Sequence, residues 1–286
     1  MRYIFVIIFL SSFFQVNSQL NLSGTWQGMI IKAHQEPSTA DVFYIQFEEN
    51  DNEITGYSRT EILNETLYAI KNFNGKKNGN KVTFEDGYIK TKSNDRAAPK
   101  CKHKFELIYD EESEYLSGKF ISTDCRNVQG EVVLYKEQRP FNEEKMPAAS
   151  HYWKQKFAQN YEKGFPAPAV MKRMQENFKF QPIYFDHDKS VIKEEFHEYL
   201  NEMAKILEGI HDLRVKVIGH TDAVGTDFYN IGLSKRRAKA IKEYFLKQGI
   251  EEDKLEIDFR GEREPIDTNK TPEGKQRNRR VDFKFI

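Results

Sequence analysis

The sequence predicts two domains joined by a helical linker: an all-β antiparallel barrel of about eight strands, then an α/β sandwich. Three observations predict this. From Asn21 to about Tyr135 apolar residues alternate with polar ones at period two. Between Lys136 and Gln181 the spacing becomes helical, and from Pro182 onward strands and helices alternate. A length of 286 residues suits two domains of ordinary size. The 44 Lys and Arg balance 44 Asp and Glu, so no bulk positive charge points to nucleic acid. A charged fraction of 31% and a mean hydropathy of -0.73 exclude a polytopic helical membrane protein. Aromatic residues at 13%, with 9 Pro and 16 Gly, exclude a disordered or collagenous chain.

Residues 1–18 read as a secretory signal cut before Gln19. Met1, Arg2 and Tyr3 form a basic start, Ile4 to Leu10 an apolar run continued by Phe13 and Phe14, and Val16, Asn17 and Ser18 a compact cleavage site. The run is shorter than the ~20 residues of a spanning helix. No Cys sits at the cut, so a lipidated N-terminus is not expected. Cys101 and Cys125 are the two cysteines of an exported chain, which predicts a disulfide between them, with two free core cysteines as the alternative.

The barrel domain is assigned to residues 19–138. Val42 to Phe47 and His103 to Tyr109 show its alternation, and Asn, Gly and Asp clusters at Glu49 to Asn52, Asn74 to Asn80, Asp110 to Glu114 and Asn127 to Gly130 supply the turns. The start, Leu22-Ser23-Gly24-Thr25-Trp26, resembles the opening strand of lipocalin-like and avidin-like barrels, in which a Trp plugs the closed end. Residues 139–181 read as the linker. Pro147 suits a first helical turn, Trp153, Phe157 and Tyr161 recur every fourth position, and Gly164 with Pro166 stops that helix. A second short helix is expected from Val170 to Phe178.

The last domain is assigned to residues 182–286. Ile183 to Phe185 reads as a strand and Val191 to Gly209 as an amphipathic helix. Leu213 to Ile218 is a strand, Phe228 to Lys247 a basic helix closed by Gly249, and Leu255 to Phe259 and Arg280 to Phe285 are the remaining strands. Three polar groups sit at strand ends and helix starts, where they can converge on one rim of the sheet. They are Phe185-Asp186-His187-Asp188; Gly219-His220-Thr221-Asp222, followed by Gly225, Tyr229-Asn230, Leu233-Ser234 and Arg237-Ala238; and Gly261, Pro265, Asn269 to Thr271, Gly274 and Asn278 to Val281.

This series, in this order, resembles the OmpA-like C-terminal domain, the peptidoglycan-binding module of Pal lipoproteins and flagellar stator proteins. The resemblance implies non-covalent binding of the peptidoglycan stem at its diaminopimelate residue, without catalysis and without a cofactor. The family's Asp and Arg fall on Asp222 and Arg237. The far end of diaminopimelate is a zwitterion, which one carboxylate and one guanidinium a few ångströms apart complement. Asn230 and Asn278 are expected to address the stem's backbone, Phe185 to form an apolar wall, Asp186 to add an acceptor and Thr221 to offer its backbone N–H. Among Lys275, Arg277, Arg279 and Arg280, one base is expected to hold the last strand through a carboxylate. His187, between two aspartates, reads as a solvated loop residue. His220 beside Asp222 raises a metal or acid/base role, against which no second ligand stands at metal spacing and no nucleophile stands with a base.

The resulting expectation is an exported, non-enzymatic wall tether on the periplasmic side of the outer membrane, either a soluble periplasmic protein localised by the wall or a subunit recruited by an outer-membrane protein through its N-terminal domain. Two alternatives concern that domain. It could be an eight-stranded outer-membrane barrel, although stretches such as Lys81 to Asp86 and Leu116 to Phe120 are shorter and more interrupted than the ~9–11 residues of a spanning strand. It could also be a lipocalin-like binder of a small apolar ligand.

Overall fold

The computed structural model describes residues 20–62, 67–139 and 152–286; the expected signal segment and Pro147 lie outside the described residues. The chain divides into two compact units, one of Met1–Asp110 with Leu116–Ser150 and one of Glu111–Tyr115 with His151–Ile286.

The first unit is a closed antiparallel barrel of eight strands, β1 (Gly24–Lys32), β2 (Asp41–Asn50), β3 (Glu53–Glu61), β4 (Tyr68–Asn78), β5 (Lys81–Lys92), β6 (His103–Tyr109), β7 (Tyr115–Ser122) and β8 (Gln129–Glu137). β1 pairs with both β2 and β8, which removes the free edges. An eight-stranded barrel is just wide enough for side chains to fill it. Here the filling is aromatic. Phe43 and Phe105 stack at 5.4 Å between ring centres, Phe84 and Phe105 at 4.4 Å, and Phe73 meets Phe84 at 4.7 Å. Each fully buried phenylalanine contributes about 2 kcal/mol of transfer free energy. Trp26, 1% exposed, packs edge-on to Phe47 and Tyr109 and donates from its indole to the Leu22 carbonyl at 2.8 Å. Beside it the buried Lys77 pairs with Glu49 and donates to the Leu20 carbonyl, while Glu49 accepts from the Leu22 N–H.

The inward row also carries a second ionic cluster. Asp86 accepts from Ser58 Oγ at 2.9 Å, Lys71 Nζ at 3.0 Å and the His103 N–H at 3.1 Å, and His103 Nδ1 stands 3.2 Å away. Lys71, wholly buried, also donates to the Cys101 carbonyl. Cys101 is bonded to Cys125, as their export predicts, with Cα atoms 5.6 Å apart. On the outer face of β5 to β7 the parity reverses, and Lys81, Glu85, Lys104, Glu106 and Lys119 are exposed.

In the second unit the helices α1 (Tyr152–Glu162) and α2 (Pro168–Asn177) precede β9 (Ile183–Tyr184), α3 (His197–Gly209), β10 (Val215–His220), α4 (Asp227–Lys247), β11 (Leu255–Gly261), α5 (Pro272–Asn278) and β12 (Arg280–Phe285). The sheet order is β11-β10-β12-β9, with β10 parallel to β11 and antiparallel to β12. Apolar residues of α3 and α4, among them Leu200, Met203, Ile241 and Phe245, pack on Val215, Val217, Val281 and Phe283. α3 starts six residues later than the periodicity suggests, because Lys193 is extended and a single 3-10 turn, Glu194–Phe196, leads into the helix. Residues 152–181 of the stretch read as a linker belong to this unit. Asn160 donates to the Gly209 carbonyl at 2.9 Å, and Met174 and Phe178 rest on the domain core. The helix α5 is absent from the expectations above. Its signal was present in Thr271-Pro272, an N-cap whose hydroxyl accepts from the Gly274 N–H at 3.1 Å followed by a proline at the first helical position.

One contact sets the spacing between sheet and helix. A β-carbon at Gly219 would lie 2.1 Å from the Ser234 carbonyl oxygen, so α4 approaches β10 as closely as backbone permits.

Candidate functional site

The ends of β9, β10 and β11 and the start of α4 form the rim on which the sequence placed its polar groups. Asp222 lies in the loop between β10 and α4, 3% exposed, and one of its oxygens accepts from the Val224 N–H at 3.2 Å. Its other oxygen meets Arg279 Nη1 at 2.7 Å. The base that meets Asp222 is therefore Arg279, which follows α5. The sequence reading assigned Arg279 no role at the site.

Arg237 sits behind this pair, with no exposed surface. It donates to the carbonyls of His220 at 2.8 Å, Lys189 at 2.9 Å and Asp186 at 3.1 Å, and its guanidinium lies 5.3 Å over the Phe185 ring. Burial pulls its pKa down to about 10, while the negative Asp222 pulls it up, so it stays charged at neutral pH. A guanidinium has five N–H groups, and three are taken by the backbone. Arg237 thus binds the two rim loops together, with two N–H groups left over.

Three of the expected contacts are occupied. The Thr221 N–H donates to the Gly261 carbonyl at 2.8 Å, because the loop continues the β10–β11 pairing, and is not free for a ligand. Phe185 is fully buried in the domain core instead of forming a wall at the rim. Asn278 spends both ends of its amide on the loop before α5, accepting from the N–H groups of Ile266 and Asp267 and donating to the Asp267 carbonyl and Asn269 Oδ1. Asp186 is half exposed and holds Lys193 at 3.2 Å and Lys189 at 3.4 Å, which lowers its pKa.

Two polar atoms at the rim remain unmatched. Asn230 donates to Glu262 at 2.5 Å, but its Oδ1, like the Thr221 hydroxyl, is buried without a partner among the described residues. A β-carbon at Gly225, in the Asp222 loop, would stand 3.9 Å from Asn230 Oδ1. Buried polar groups are rarely left unsatisfied, and an unmet one marks a place for water or ligand. His187 is largely exposed, with Nδ1 3.9 Å from the Asp222 oxygen that Arg279 holds.

His220 faces elsewhere. Its Nε2 is 3.4 Å from Asp282, and burial, reinforced by Arg280, lowers its pKa to about 4, so it is neutral. Arg280 ties the last strand to the chain before α5 through the Glu264 carbonyl at 3.2 Å, and not through a carboxylate as expected, since its carboxylate partner at 2.9 Å, Asp282, lies on the same strand. Among the described residues, the metal-type donors lying within 4.8 Å of one another are Cys101, Cys125 and Asp124. Both sulfurs are consumed by the disulfide, which leaves one carboxylate.

Residues 184–279 match the OmpA family. The C-terminal unit carries an OmpA-family domain. This domain is 38% identical over 103 residues to outer membrane protein A of Bordetella avium, covering 36% of the chain and 53% of that relative. It is 40% identical over 102 residues to the peptidoglycan-associated lipoprotein of Pseudomonas aeruginosa, covering 36% of the chain and 60% of the relative. The chain thus spans little more than half the length of these two relatives. The crystal structure of the peptidoglycan-associated lipoprotein from Burkholderia pseudomallei aligns over 37% of the chain and 90% of its own, at 24% identity and a TM-score of 0.37.

Proposed function

We propose that the OmpA-family domain grips peptidoglycan non-covalently through the diaminopimelate residue of its peptide stem, at the rim marked by Asp222. One observation carries this reading: Asp222 pairs with Arg279 at 2.7 Å at the rim, where the Thr221 hydroxyl of the same loop and Asn230 Oδ1 of the start of α4 are also without partners among the described residues. A zwitterion can replace such a pair without leaving either charge alone. Its ammonium goes to Asp222 and its carboxylate to Arg279. Losing one member of a hydrogen-bonded charge pair costs about 2–5 kcal/mol, so a stem carrying lysine, which lacks the second carboxylate, binds more weakly. No bond is made or broken in this scheme. The names of the relatives, an outer membrane protein and a peptidoglycan-associated lipoprotein, support a place in the cell envelope.

The barrel is read as the part that docks to an outer-membrane protein. Its aromatic interior leaves little to recommend a lipocalin-like ligand, and a bilayer-facing band would have to bury Lys81, Glu85, Lys104, Glu106 and Lys119 in hydrocarbon. A high-salt wash of membranes is expected to release the full chain, whereas retention until detergent is added would restore the spanning barrel.

Co-sedimentation of the full chain with purified walls tests the grip. Asp222→Ala and Arg279→Ala are expected to lower binding to diaminopimelate-type walls at least thirtyfold, about 2 kcal/mol. Unchanged binding by both variants would move the site elsewhere.

A further inference from the structure

Exposed apolar side chains are spread unevenly over the second unit. Val224 stands on the Asp222 loop, Phe228 in the first turn of α4, Val191 on the loop between β9 and α3, and Ile266 on the loop between β11 and α5. Phe228, at 90%, is the most exposed large hydrophobic side chain among the described residues. A single exposed apolar residue needs no explanation, but four of them on the loops of one rim do. Farther along α4 the outer face is polar, with Lys235, Arg236, Lys239 and Glu243 exposed.

Hydrogen bonds tie these loops to one another. Arg237 holds the β9–α3 loop by the Asp186 and Lys189 carbonyls, the Ala223 N–H donates to Asn269 Oδ1 at 3.1 Å, and Arg263 donates to both oxygens of Asp227, at 3.2 and 2.8 Å. Phe228 is thereby fixed from both sides. Its neighbour Asp227 is held by Arg263, and its neighbour Tyr229 donates from its hydroxyl to Asp188. The Tyr229 ring also stands close to Gly225, where a β-carbon would lie 3.5 Å away. Helical side chains lean toward the helix N-terminus, so Phe228 leans toward the Asp222 loop from which α4 starts.

The kind of occupant follows from charge and reach. Lys189 and Lys193 are spent on Asp186, and Arg263 on Asp227, which favours a neutral occupant over an anionic lipid surface. Diaminopimelate is the third residue of a stem whose first residue is joined to the glycan, and three residues span at most about 10 Å, roughly one helix diameter. A stem held at Asp222 therefore carries its glycan to within reach of the first turn of α4. That glycan is a neutral chain of N-acetylated sugars, whose ring faces and acetyl methyl groups are apolar.

We propose that Phe228 and the apolar side chains of the rim loops form a subsite for the N-acetylated glycan strand to which the gripped stem is attached. The inference rests on the reading of the rim as a stem-peptide site. Phe228 acts here as a flat apolar surface and takes no part in holding the diaminopimelate charges.

The experiment measures the affinity of the full chain for purified diaminopimelate-type walls and for the glycan-free stem tripeptide cut from them. Phe228→Ala is expected to weaken wall binding about three- to tenfold, the range of one aromatic contact, and to leave tripeptide binding unchanged. Phe228→Trp is expected to keep wild-type affinity for both. Circular dichroism checks that each variant is folded. Equal losses on walls and tripeptide, or no loss on either, would overturn the glycan subsite. So would vesicles of anionic phospholipid that bind the wild type and not Phe228→Ala, since the patch would then be a lipid contact. Wild-type binding of the tripeptide by Asp222→Ala would instead overturn the stem reading of the rim, so the two failures are told apart.

Discussion

Asp86 in the barrel and Asp222 in the OmpA-family domain are both buried carboxylates paired with a base, yet they are finished differently. Around Asp86 the ledger of donors is closed: a serine hydroxyl, a lysine, a histidine ring and a backbone N–H converge on it, and the lysine's charge is shared with the Cys101 carbonyl. Around Asp222 it is open, with one salt bridge to a partly exposed arginine and two orphaned oxygens nearby. A saturated cluster offers a ligand nothing to complete, and an unsaturated one does. On the proposed reading, the difference separates a structural ion group from the wall-binding one, where burial and charge alone would not.

The largest expected effect comes from opening the closed cluster. Asp86→Ala leaves Lys71 buried and uncompensated and is expected to destabilise the barrel by about 3–5 kcal/mol in urea unfolding. Asp222→Ala is expected to cost less, about 1–2 kcal/mol, because Arg279 can turn toward water and the buried Arg237 keeps its three carbonyl acceptors. Comparable losses at the two sites would erase the contrast. Next, reduction of Cys101–Cys125, which closes a loop with a separation of 24 residues, should remove about 3 kcal/mol from the barrel and leave the second unit's transition in place. An unmoved barrel transition in dithiothreitol would count against that bond's contribution.

Acid should separate the units. His220 binds its proton near pH 4 in the folded domain, against about 6.5 unfolded, so the unfolded chain takes up the proton first as pH falls. Stability of the second unit is therefore expected to decline between about pH 6.5 and 4, by up to about 3 kcal/mol. For Asp86, burial raises the pKa, but the hydrogen bonds and charges of His103 and Lys71 outweigh it and hold the group below the usual carboxylate range. Its contribution to the barrel is kept above about pH 4 and lost only below that. Calorimetry across this range should show the second unit failing first, and the reverse order would contradict both assignments. The smallest effect is at a helix start: Thr226 accepts from the Tyr229 N–H at 3.2 Å, so Thr226→Ala should cost about 1 kcal/mol of second-unit stability in urea.

Much of the fold was legible because it obeys simple periods. Alternation in β5 to β7 gave the barrel both its greasy inside and its charged outside, and the three-and-four spacing of Leu200, Met203 and Leu207 gave α3. The site was legible as a set of residues and less so as a set of roles. Arg237 was picked out by its motif, but its bonds to three carbonyls leave no trace in a sequence, since every residue has a carbonyl. The Thr221 N–H was lost to Gly261 for the same reason. Arg279 went unassigned among neighbouring bases because only the turn after α5 distinguishes it, and that helix was itself missed.

Gly219 shows how little slack there is behind the rim. A single added methyl group on that strand would work like a wedge under α4, tilting the shelf from which Arg237 reaches the rim. Anyone seeking to retune this grip would do better to alter its outer lip, where Phe228 stands, than its foundation.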